Sequence, residues 1–319
     1  MSLTAETLPA QFQQPDGWEW GWFDGAHEGR LRYGHVQAQD AVAEIVVLPG
    51  LSEFGEKYYE LAHDFLPERL NFWILDWQGQ GRSSRGLPDD RHRRISHGFE
   101  HDLSDLNTWL ENHVIPNTGG RPLILLGHSM GGHFALRYLH DHPERFRFAV
   151  ICSPMIAIEG LKFFPDFSLP PLLNVLASIT PHSYIPGGSS YDPQLRYKLG
   201  EKTFSHDMVR NKVHHAWTDY DEELQVGSVT FSWLHHAESS GRILRQEEFL
   251  QAISTPCLLF TGDEEKIVSN PEIVRASEVL PNCEFEMLSP AGHELLMETD
   301  SVRERVLRRL REWVRIHIP

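Results

Sequence analysis

The chain has 319 residues, of which 40% are hydrophobic and 23% are charged, and this composition is typical of a globular protein. Disordered and fibrous classes are therefore excluded. The 29 basic and 45 acidic side chains give a formal net charge of −16 at pH 7. Such an acidic chain is poorly suited to phosphate backbones, because their recognition needs clustered cations. We expect no nucleic-acid partner.

Cysteine usage and hydropathy indicate where the protein works. Its three cysteines, Cys152, Cys257 and Cys283, cannot all pair, and each lies in or beside an apolar run. The N-terminus lacks the basic start and apolar stretch of a secretory signal peptide. No run of about 18 apolar residues predicts a membrane-spanning helix. We expect a cytoplasmic protein, and peripheral contact with a membrane stays open.

Short apolar runs alternate with amphipathic stretches along the chain. The aromatic-rich segment 18–36 predicts an antiparallel hairpin at a sheet edge. Further strands are predicted at 43–48, 71–76, 121–127, 146–153, 256–262 and 283–289, and helices at 57–69, 98–113 and 131–142. Apolar strands that alternate with helices indicate a mostly parallel sheet covered on both faces. The sequence therefore predicts an α/β fold.

This alternation breaks between residues 155 and 245. Prolines cluster in this stretch and then give way to helical segments such as DMVRNKVHHAW. We predict that 1–154 and 246–319 form the two parts of one core. Residues 155–245 would form a helical cap inserted over the carboxyl ends of the strands. A separate helical domain is the alternative, which the frequent prolines disfavour.

The strongest chemical signal is the pattern G-x-S-x-G at 127–131, in the sequence GHSMG. A buried strand leads into the pattern and an amphipathic helix leaves it, which is the setting of a nucleophile elbow. Gly127 and Gly131 permit a close approach of strand and helix, and a helix N-terminus stabilises negative charge. Ser129 is therefore the predicted nucleophile. We expect His128 to be structural, with its side chain turned away into the elbow.

A serine nucleophile needs a base and an orienting carboxylate, expected in the chain order serine, acid, histidine. Of the 19 histidines, His293 is favoured because it follows the last predicted strand and precedes the C-terminal helix. A loop at that place can reach back to Ser129. Three acids follow the preceding strand, namely Asp263, Glu264 and Glu265. Spacing alone does not choose among them.

Six segments spread over nearly the whole chain match the motifs of one group of enzymes. They are LPGLSEFGEKYYELA at 48–62, DWQGQGRS at 76–83, GHSMGG at 127–132, CSPM at 152–155, GDEEKIV at 262–268 and GHELLME at 292–298. In these segments the chain resembles the α/β-hydrolases of the monoacylglycerol lipase and lysophospholipase L2 group, the serine aminopeptidase-like hydrolases. The resemblance implies an α/β-hydrolase fold with an inserted helical cap.

The resemblance also implies roles for individual residues. The family acid lies in a pattern G-x-x-D-x-[IV]-V, which places Glu265 at the acid position with Glu for the usual Asp, and Asp263 second. The Glu-rich stretch resembles the corresponding stretch of lysophospholipase L2-like members more than that of the glyceride lipases. The oxyanion hole would use the backbone N–H groups of Leu51 and Met130. Most members begin the first of these loops with His-Gly, whereas this chain has Pro49 before its glycine.

The implied activity is hydrolysis of a carboxylic ester of a single-chain lipid, a lysophospholipid or a monoacylglycerol. It would proceed through an acyl-enzyme on Ser129, with no metal or organic cofactor. The apolar cap segment 163–179 predicts a roof for an acyl chain, with Phe163, Phe164 and Leu172 as candidate substrate-binding residues. The same segment could instead pack the cap onto the core.

Two alternatives use the same scaffold, a short-chain carboxylesterase and an aminopeptidase-like hydrolase. A non-catalytic binding protein is disfavoured by the intact serine, acid and histidine. Two basic features, RHRR at 91–94 and the arginines of the last helix, are compatible with an anionic head group or a membrane surface. The ordinary interpretation of that helix is one apolar face on the sheet and one solvated cationic face.

Overall fold

The structure is a computed structural model that describes residues 4–165, 167–195 and 202–318. Its strands are β1 (Glu19–Asp24), β2 (Arg30–Val36), β3 (Ala43–Leu48), β4 (Leu70–Leu75), β5 (Leu123–His128), β6 (Phe148–Cys152), β7 (Cys257–Gly262) and β8 (Cys283–Leu288). They form one sheet in the order β1-β2-β4-β3-β5-β6-β7-β8. The β1–β2 and β2–β4 pairs are antiparallel and the other pairs are parallel. The predicted α/β class and edge hairpin are confirmed.

Helices cover both faces of this sheet. They are α1 (Tyr59–Phe65), α2 (Phe99–Trp109), α3 (Met130–Asp141), α4 (Leu169–Ile179), α5 (Arg210–Tyr220), α6 (Phe231–Leu244), α7 (Glu247–Gln251), α8 (Asn270–Val279) and α9 (Asp300–His317). A 3₁₀ turn at Gly55–Tyr58 precedes α1. The helix is shorter than the predicted 57–69 because Pro67 has no N–H with which to continue the backbone ladder.

The core lies on the two faces of the sheet, and β5 shows how one strand serves both. Leu123 and Leu125 point into the apolar cluster under α2 and α3, whereas Ile124 and Leu126 point into the cluster under α1 and α9. Successive side chains of a strand alternate between faces. Because both faces are covered, the central strands are apolar throughout and appear in the sequence as continuous runs.

The helices α4, α5 and α6 lie in the stretch between β6 and β7 that the sequence sets apart as a cap. Helix α4 packs on α6, and α6 in turn packs on α3 of the core. The chain leaves the core and returns to it at one place, where α6 passes close to Ile156. A Cβ atom added at Gly241 would lie only 2.7 Å from the Ile156 carbonyl oxygen.

The N-terminal segment and α5 hold each other against the core. Leu8 and Phe12 form a small apolar cluster with Val213 on α5. At the start of the same helix, the Arg210 guanidinium binds both carboxylate oxygens of Glu60 on α1, at 2.7 and 2.8 Å. Both contacts tie the described part of the cap to the face of the sheet that carries α1.

The two basic features of the sequence are largely engaged in internal ion pairs. In the RHRR stretch, Arg91 pairs with Glu223 at 2.5 Å, and Arg94 is buried. Several arginines of α9 also have acidic partners, in the pairs Arg303–Asp64, Arg305–Glu286, Arg309–Glu284 and Arg311–Glu68. The face of α9 is therefore mixed in charge and not a free cationic surface. Among the described helices, none combines the length and the apolar composition needed to cross a membrane.

Leu126 provides a test of the core. It is fully buried on β5, so replacing it with alanine removes buried methyl groups and leaves a cavity. We expect Leu126→Ala to lower the free energy of unfolding by about 2–5 kcal/mol. The matched variant Leu172→Ala alters an α4 side chain that is 45% exposed, and we expect a change within about 0.5 kcal/mol. Urea unfolding followed by circular dichroism measures both, and equal losses would contradict the assigned burial.

Candidate active site

The centre of the site is a strained backbone turn at Ser129, between the end of β5 and the start of α3. Ser129 has a φ of 53°, in the left-handed region that non-glycine residues seldom adopt. Three backbone hydrogen bonds hold it there. Its N–H donates to Cys152 O, and its carbonyl oxygen accepts from the N–H groups of His133 and Met155, each at 3.0 Å. The predicted elbow geometry places the Ser129 side chain at the carboxyl edge of the sheet.

Two glycines of the G-x-S-x-G pattern make this turn possible. A Cβ atom added at Gly131 would lie 1.9 Å from the carbonyl oxygen of Leu48 on β3. A Cβ atom added at Gly127 would lie 2.8 Å from Gly131 O. Both distances are too short for any side chain, so the strand and the helix can approach only because both positions are glycine.

The structure brings Ser129, His293 and Glu265 into one hydrogen-bonded chain. Ser129 Oγ lies 2.9 Å from His293 Nε2, and His293 Nδ1 lies 2.6 Å from Glu265 Oε2. Because a carboxylate accepts, Nδ1 carries the proton and Nε2 of the neutral ring is free to accept from the serine hydroxyl. All three side chains are shielded from solvent, since Ser129 is 6% and His293 4% exposed and the Glu265 side chain is fully buried.

The geometry distinguishes the acids that spacing left open. The second carboxylate oxygen of Glu265 accepts from the backbone N–H groups of Ile267 and Val268, at 2.7 and 3.2 Å. Burial alone would raise the pKa of Glu265, but the His293 ring and these N–H donors outweigh it and lower that pKa. Asp263 is exposed and accepts from the backbone of Ala291 at 3.1 Å, so it does not contact the imidazole.

The loop after β3 is fixed by side chains from its surroundings. Pro49 O accepts from the Trp77 indole N–H at 2.9 Å, and Gly50 O accepts from the Gln80 amide at 2.8 Å. The Gly50 N–H donates to Glu53 Oε2 at 2.5 Å. With Pro49 at this position, the Pro49 carbonyl and both backbone polar groups of Gly50 have hydrogen-bond partners.

This loop lies directly against the nucleophile. A Cβ atom added at Gly50 would lie 3.1 Å from the Ser129 Cβ. The next residue, Leu51, and the first residue of α3, Met130, are the two expected oxyanion donors. Within the described ranges, neither backbone N–H donates to a protein acceptor. Met130 N–H is also one of the unpaired donors at a helix N-terminus, which stabilise an anion.

The three cap residues predicted to bind substrate are largely exposed to solvent. Phe163 is 82% exposed, and Phe164 and Leu172 are each 45% exposed. The buried residues of α4 are instead Leu169 and Leu173, one helical turn apart on the same face. The apolar run 163–179 could not show which of its faces turns inward, because hydrophobic residues occur on more than one side of the helix within it.

A second acid supports the histidine loop, and the sequence did not single it out. Glu298 is completely buried and accepts from the Gly292 N–H at 2.8 Å. The same carboxylate accepts from the backbone N–H of His206 at 3.0 Å and contacts its ring Nδ1 at 2.9 Å. It thus links the cap stretch to the loop of His293. The only signal was an acid at the end of the apolar GHELLME segment.

The fold and the site together are those of an α/β-hydrolase. A serine lies at a strand-to-helix elbow and faces a histidine and a carboxylate from later loops. In the described ranges, no group of three or more His, Cys, Asp and Glu side chains is placed to hold a metal ion. Residues 39–300 match the hydrolase family described as serine aminopeptidase S33. The chain belongs to that family, as its motifs predicted.

Known proteins similar to this chain extend over nearly its full length. It is 28% identical to a probable lysophospholipase L2 of Haemophilus influenzae, over 98% of this chain and 96% of that protein. It is 27% identical to lysophospholipase L2 of Escherichia coli, over 92% of this chain and 87% of that protein. A soluble variant of monoglyceride lipase from Saccharomyces cerevisiae, solved with a substrate analog, superposes with a TM-score of 0.78 at 18% identity, covering 98% of both chains. The α/β-hydrolase fold is confirmed.

Gly131 provides a test of the elbow. Gly131→Ala would drive a methyl group into the Leu48 carbonyl, so strand and helix must separate. We expect a loss of stability of about 1–3 kcal/mol or more from this overpacking. The matched variant Gly160→Ala places its methyl group where no atom lies within 4 Å, and it should leave stability nearly unchanged. Thermal unfolding measures both, and a Gly131→Ala protein as stable as the wild type would refute the assigned close approach.

Proposed function

We propose that the chain is a serine esterase that hydrolyses the carboxylic ester of a single-chain lipid, a lysophospholipid or a monoacylglycerol, through an acyl-enzyme on Ser129. The observation that carries this proposal is the continuous hydrogen-bonded chain from Ser129 through His293 to Glu265, with distances of 2.9 and 2.6 Å. Such a chain turns a weakly nucleophilic hydroxyl into an attacking group.

In the first half of the proposed reaction, Ser129 Oγ attacks the ester carbonyl carbon while His293 Nε2 takes its proton. The carbonyl oxygen becomes an oxyanion and accepts hydrogen bonds from the Leu51 and Met130 N–H groups. The Glu265 carboxylate holds the ring in the required tautomer and stabilises the imidazolium that forms. The C–O bond to the alcohol then breaks, His293 gives its proton to the leaving alkoxide oxygen, and the acyl group stays on Ser129.

In the second half, a water molecule attacks the acyl carbonyl and passes a proton to His293 Nε2. A second oxyanion forms and is stabilised by the same two N–H groups. The bond from the carbonyl carbon to Ser129 Oγ breaks, and His293 returns the proton to that oxygen. The carboxylic acid leaves and the free serine is restored. The net consumption is one ester and one water.

A single acyl chain is favoured by the relatives and by the apolar surroundings of the nucleophile. The relatives named above as lysophospholipase L2 cover most of this chain. The buried side of α4, with Leu169 and Leu173, belongs to the same apolar cluster as Met130, and Leu51 packs against that cluster. An acyl chain that extends from Ser129 under the cap would meet these side chains. We propose Leu169 and Leu173 as its contacts in place of the exposed phenylalanines.

Chain-length-resolved hydrolysis tests the activity. We expect the purified protein to hydrolyse lysophosphatidylcholine or monoacylglycerol, with kcat/KM rising as the acyl chain lengthens because each added methylene is buried. Ser129→Ala should lower kcat by about 10⁴-fold or more. The matched variant Ser104→Ala lies on α2, where its hydroxyl donates to the Glu100 carbonyl, and it should keep wild-type activity.

The outcomes of this assay separate the possible activities. Hydrolysis of acetyl or butyryl esters alone, with no gain on lengthening, would contradict the lipid substrate and leave a short-chain carboxylesterase. Cleavage of aminoacyl anilides without ester turnover would indicate an aminopeptidase. Ester hydrolysis that survives in Ser129→Ala would refute the assigned nucleophile.

Substitution of the acid tests the assignment of Glu265. Glu265→Gln keeps the shape but removes the charge that orients and stabilises the imidazole, so we expect kcat to fall by about 10³- to 10⁴-fold. Glu265→Asp keeps the charge on a shorter side chain and should lose less. Asp263→Asn alters the alternative acid, whose carboxylate contacts Ala291 N and not the ring. Steady-state kinetics that showed the larger loss in Asp263→Asn would reverse the assignment.

A further inference from the structure

Four hydrogen-bond donors converge on the buried carboxylate of Glu53, on the loop after β3. Oε2 accepts from Gly50 N–H at 2.5 Å, from Tyr58 O–H at 2.6 Å and from His128 Nδ1 at 3.1 Å. Oε1 accepts from Lys57 Nζ at 2.6 Å. Glu53 is only 3% exposed, so water does not compete for these contacts. Only a group with two acceptor oxygens can satisfy all four donors.

The partners of His128 fix its charge. Nδ1 faces the Glu53 carboxylate at 3.1 Å, and Nε2 faces the backbone carbonyl oxygen of His293 at 3.2 Å. Neither acceptor carries a hydrogen atom. Both ring nitrogens must therefore donate, which only the doubly protonated imidazolium can do.

The charges of this cluster balance. Lys57 Nζ also pairs with Glu294, the residue after His293, at 2.8 Å. The two carboxylates of Glu53 and Glu294 thus face the two cations of Lys57 and His128, and the sum is zero. The His293 ring lies 4.9 Å from the His128 ring. The carboxylates offset the repulsion that the His128 cation alone would exert on a proton arriving at His293.

We propose that Glu53 is a positioning residue for the reaction. Through the His128 imidazolium it joins the loop that carries the Leu51 oxyanion donor to the backbone of His293. The same carboxylate fixes the Gly50 N–H, so a single group sets the distance between the oxyanion donor and the general base. The effect on turnover rests on the proposed esterase function, whereas the charge on His128 does not depend on it.

The electrostatic environment agrees with this geometry. Burial lowers the pKa of His128, but the Glu53 carboxylate outweighs burial and the net effect is to raise that pKa. Burial would raise the pKa of Glu53, and the cations Lys57 and His128 instead hold it well below its ordinary value. Besides these groups, the titratable and charged side chains around the same small cavity are Tyr58, Glu60, Glu294 and Arg303, and His293 faces the ring from the other side.

The sign of the pH effect follows from the direction of the His128 shift. Because its pKa is raised on folding, the imidazolium contributes stability fully below the unfolded value of about 6.5. That contribution is lost as the pH rises through the folded value. Deprotonation would remove one of the two N–H donors and break the link between Glu53 and the His293 backbone, so turnover should fall as the pH rises through that folded value.

The test compares Glu53→Gln with Glu56→Gln. A glutamine at position 53 must turn its NH₂ group toward a donor, so the four contacts cannot all survive. We expect kcat on a p-nitrophenyl ester to fall by about 10- to 100-fold, the scale of a small misplacement of catalytic groups, with little change in KM. Glu56 is a buried carboxylate on the same segment that binds Arg32 at 2.7 and 2.8 Å, so its substitution matches the structural damage without touching the link.

Nitrogen-15 NMR of labelled histidine supplies a readout that needs no substrate. We expect two protonated ring nitrogens on His128 at pH 7 in the wild type and in Glu56→Gln. In Glu53→Gln the His128 ring should lose one proton at a lower pH than it does in the wild type. The pH at which kcat falls should decrease with it. Should Glu53→Gln fail to fold, His128→Gln breaks the same link from its other end. Where both single variants fold, the double variant Glu53→Gln/His128→Gln should lose no more kcat than Glu53→Gln alone, because Glu53→Gln already removes the contact to His128.

A neutral His128 ring in the wild type at pH 7 would overturn the proposal. So would Glu53→Gln kinetics and pH dependence indistinguishable from those of Glu56→Gln. A wild-type protein that hydrolyses no ester would refute the proposed function, and the histidine spectrum would then decide the imidazolium link by itself. Additive losses in the double variant would show that Glu53 and His128 act separately, which also contradicts the proposal.

Discussion

The turn at Ser129 is the constraint on which the site depends. Its left-handed backbone persists because β5 is locked between two parallel neighbours and α3 starts at the next residue. Strain of this kind costs about 1–3 kcal/mol and is retained only where the surroundings over-determine it. Since parallel strands all end at one edge, the loops after β3, β7 and β8 arrive at the same place. The proposed oxyanion donor, Glu265 and His293 are thus brought by the topology to a serine whose position is already fixed.

The loops that carry these residues have no regular secondary structure, yet their side chains must stay within hydrogen-bonding distance of one another. Buried charged groups hold them in place here. Glu53, Lys57, His128 and Glu294 form one neutral cluster, and Glu298 fastens the other side of the histidine loop. Burying ions is costly, and apolar substitutes are often equally stable. A charged group does, however, penalise any arrangement that leaves it unpaired. These clusters therefore fix the positions of the loops relative to one another more than they raise the free energy of unfolding.

The strands, the elbow and His293 were predictable because each leaves a local pattern: apolar runs, G-x-S-x-G, and a histidine after the last strand. The acid was not predictable from spacing, since consecutive residues of a loop point in different directions. The family pattern favoured Glu265 over Asp263, and the geometry agrees with that choice. The hydrophobic run predicted a helical segment at α4, but it did not show which face of the helix is buried. Glu53 and Lys57 resemble ordinary surface charges in the sequence, because charged side chains are seldom buried unless paired. They pair with each other four residues apart, but their other charged partners, His128 and Glu294, lie far along the chain, where no periodicity connects them.

Gly241 lies against Ile156, so the chain enters and leaves the inserted segment at neighbouring positions. These two ends lie close together, although the segment also contacts α1, α3 and the His293 loop. Chain segments whose ends lie together can be lengthened, shortened or exchanged without shifting the strands that flank them. Changes in the length or sequence of this segment can therefore leave the strands and the elbow in place.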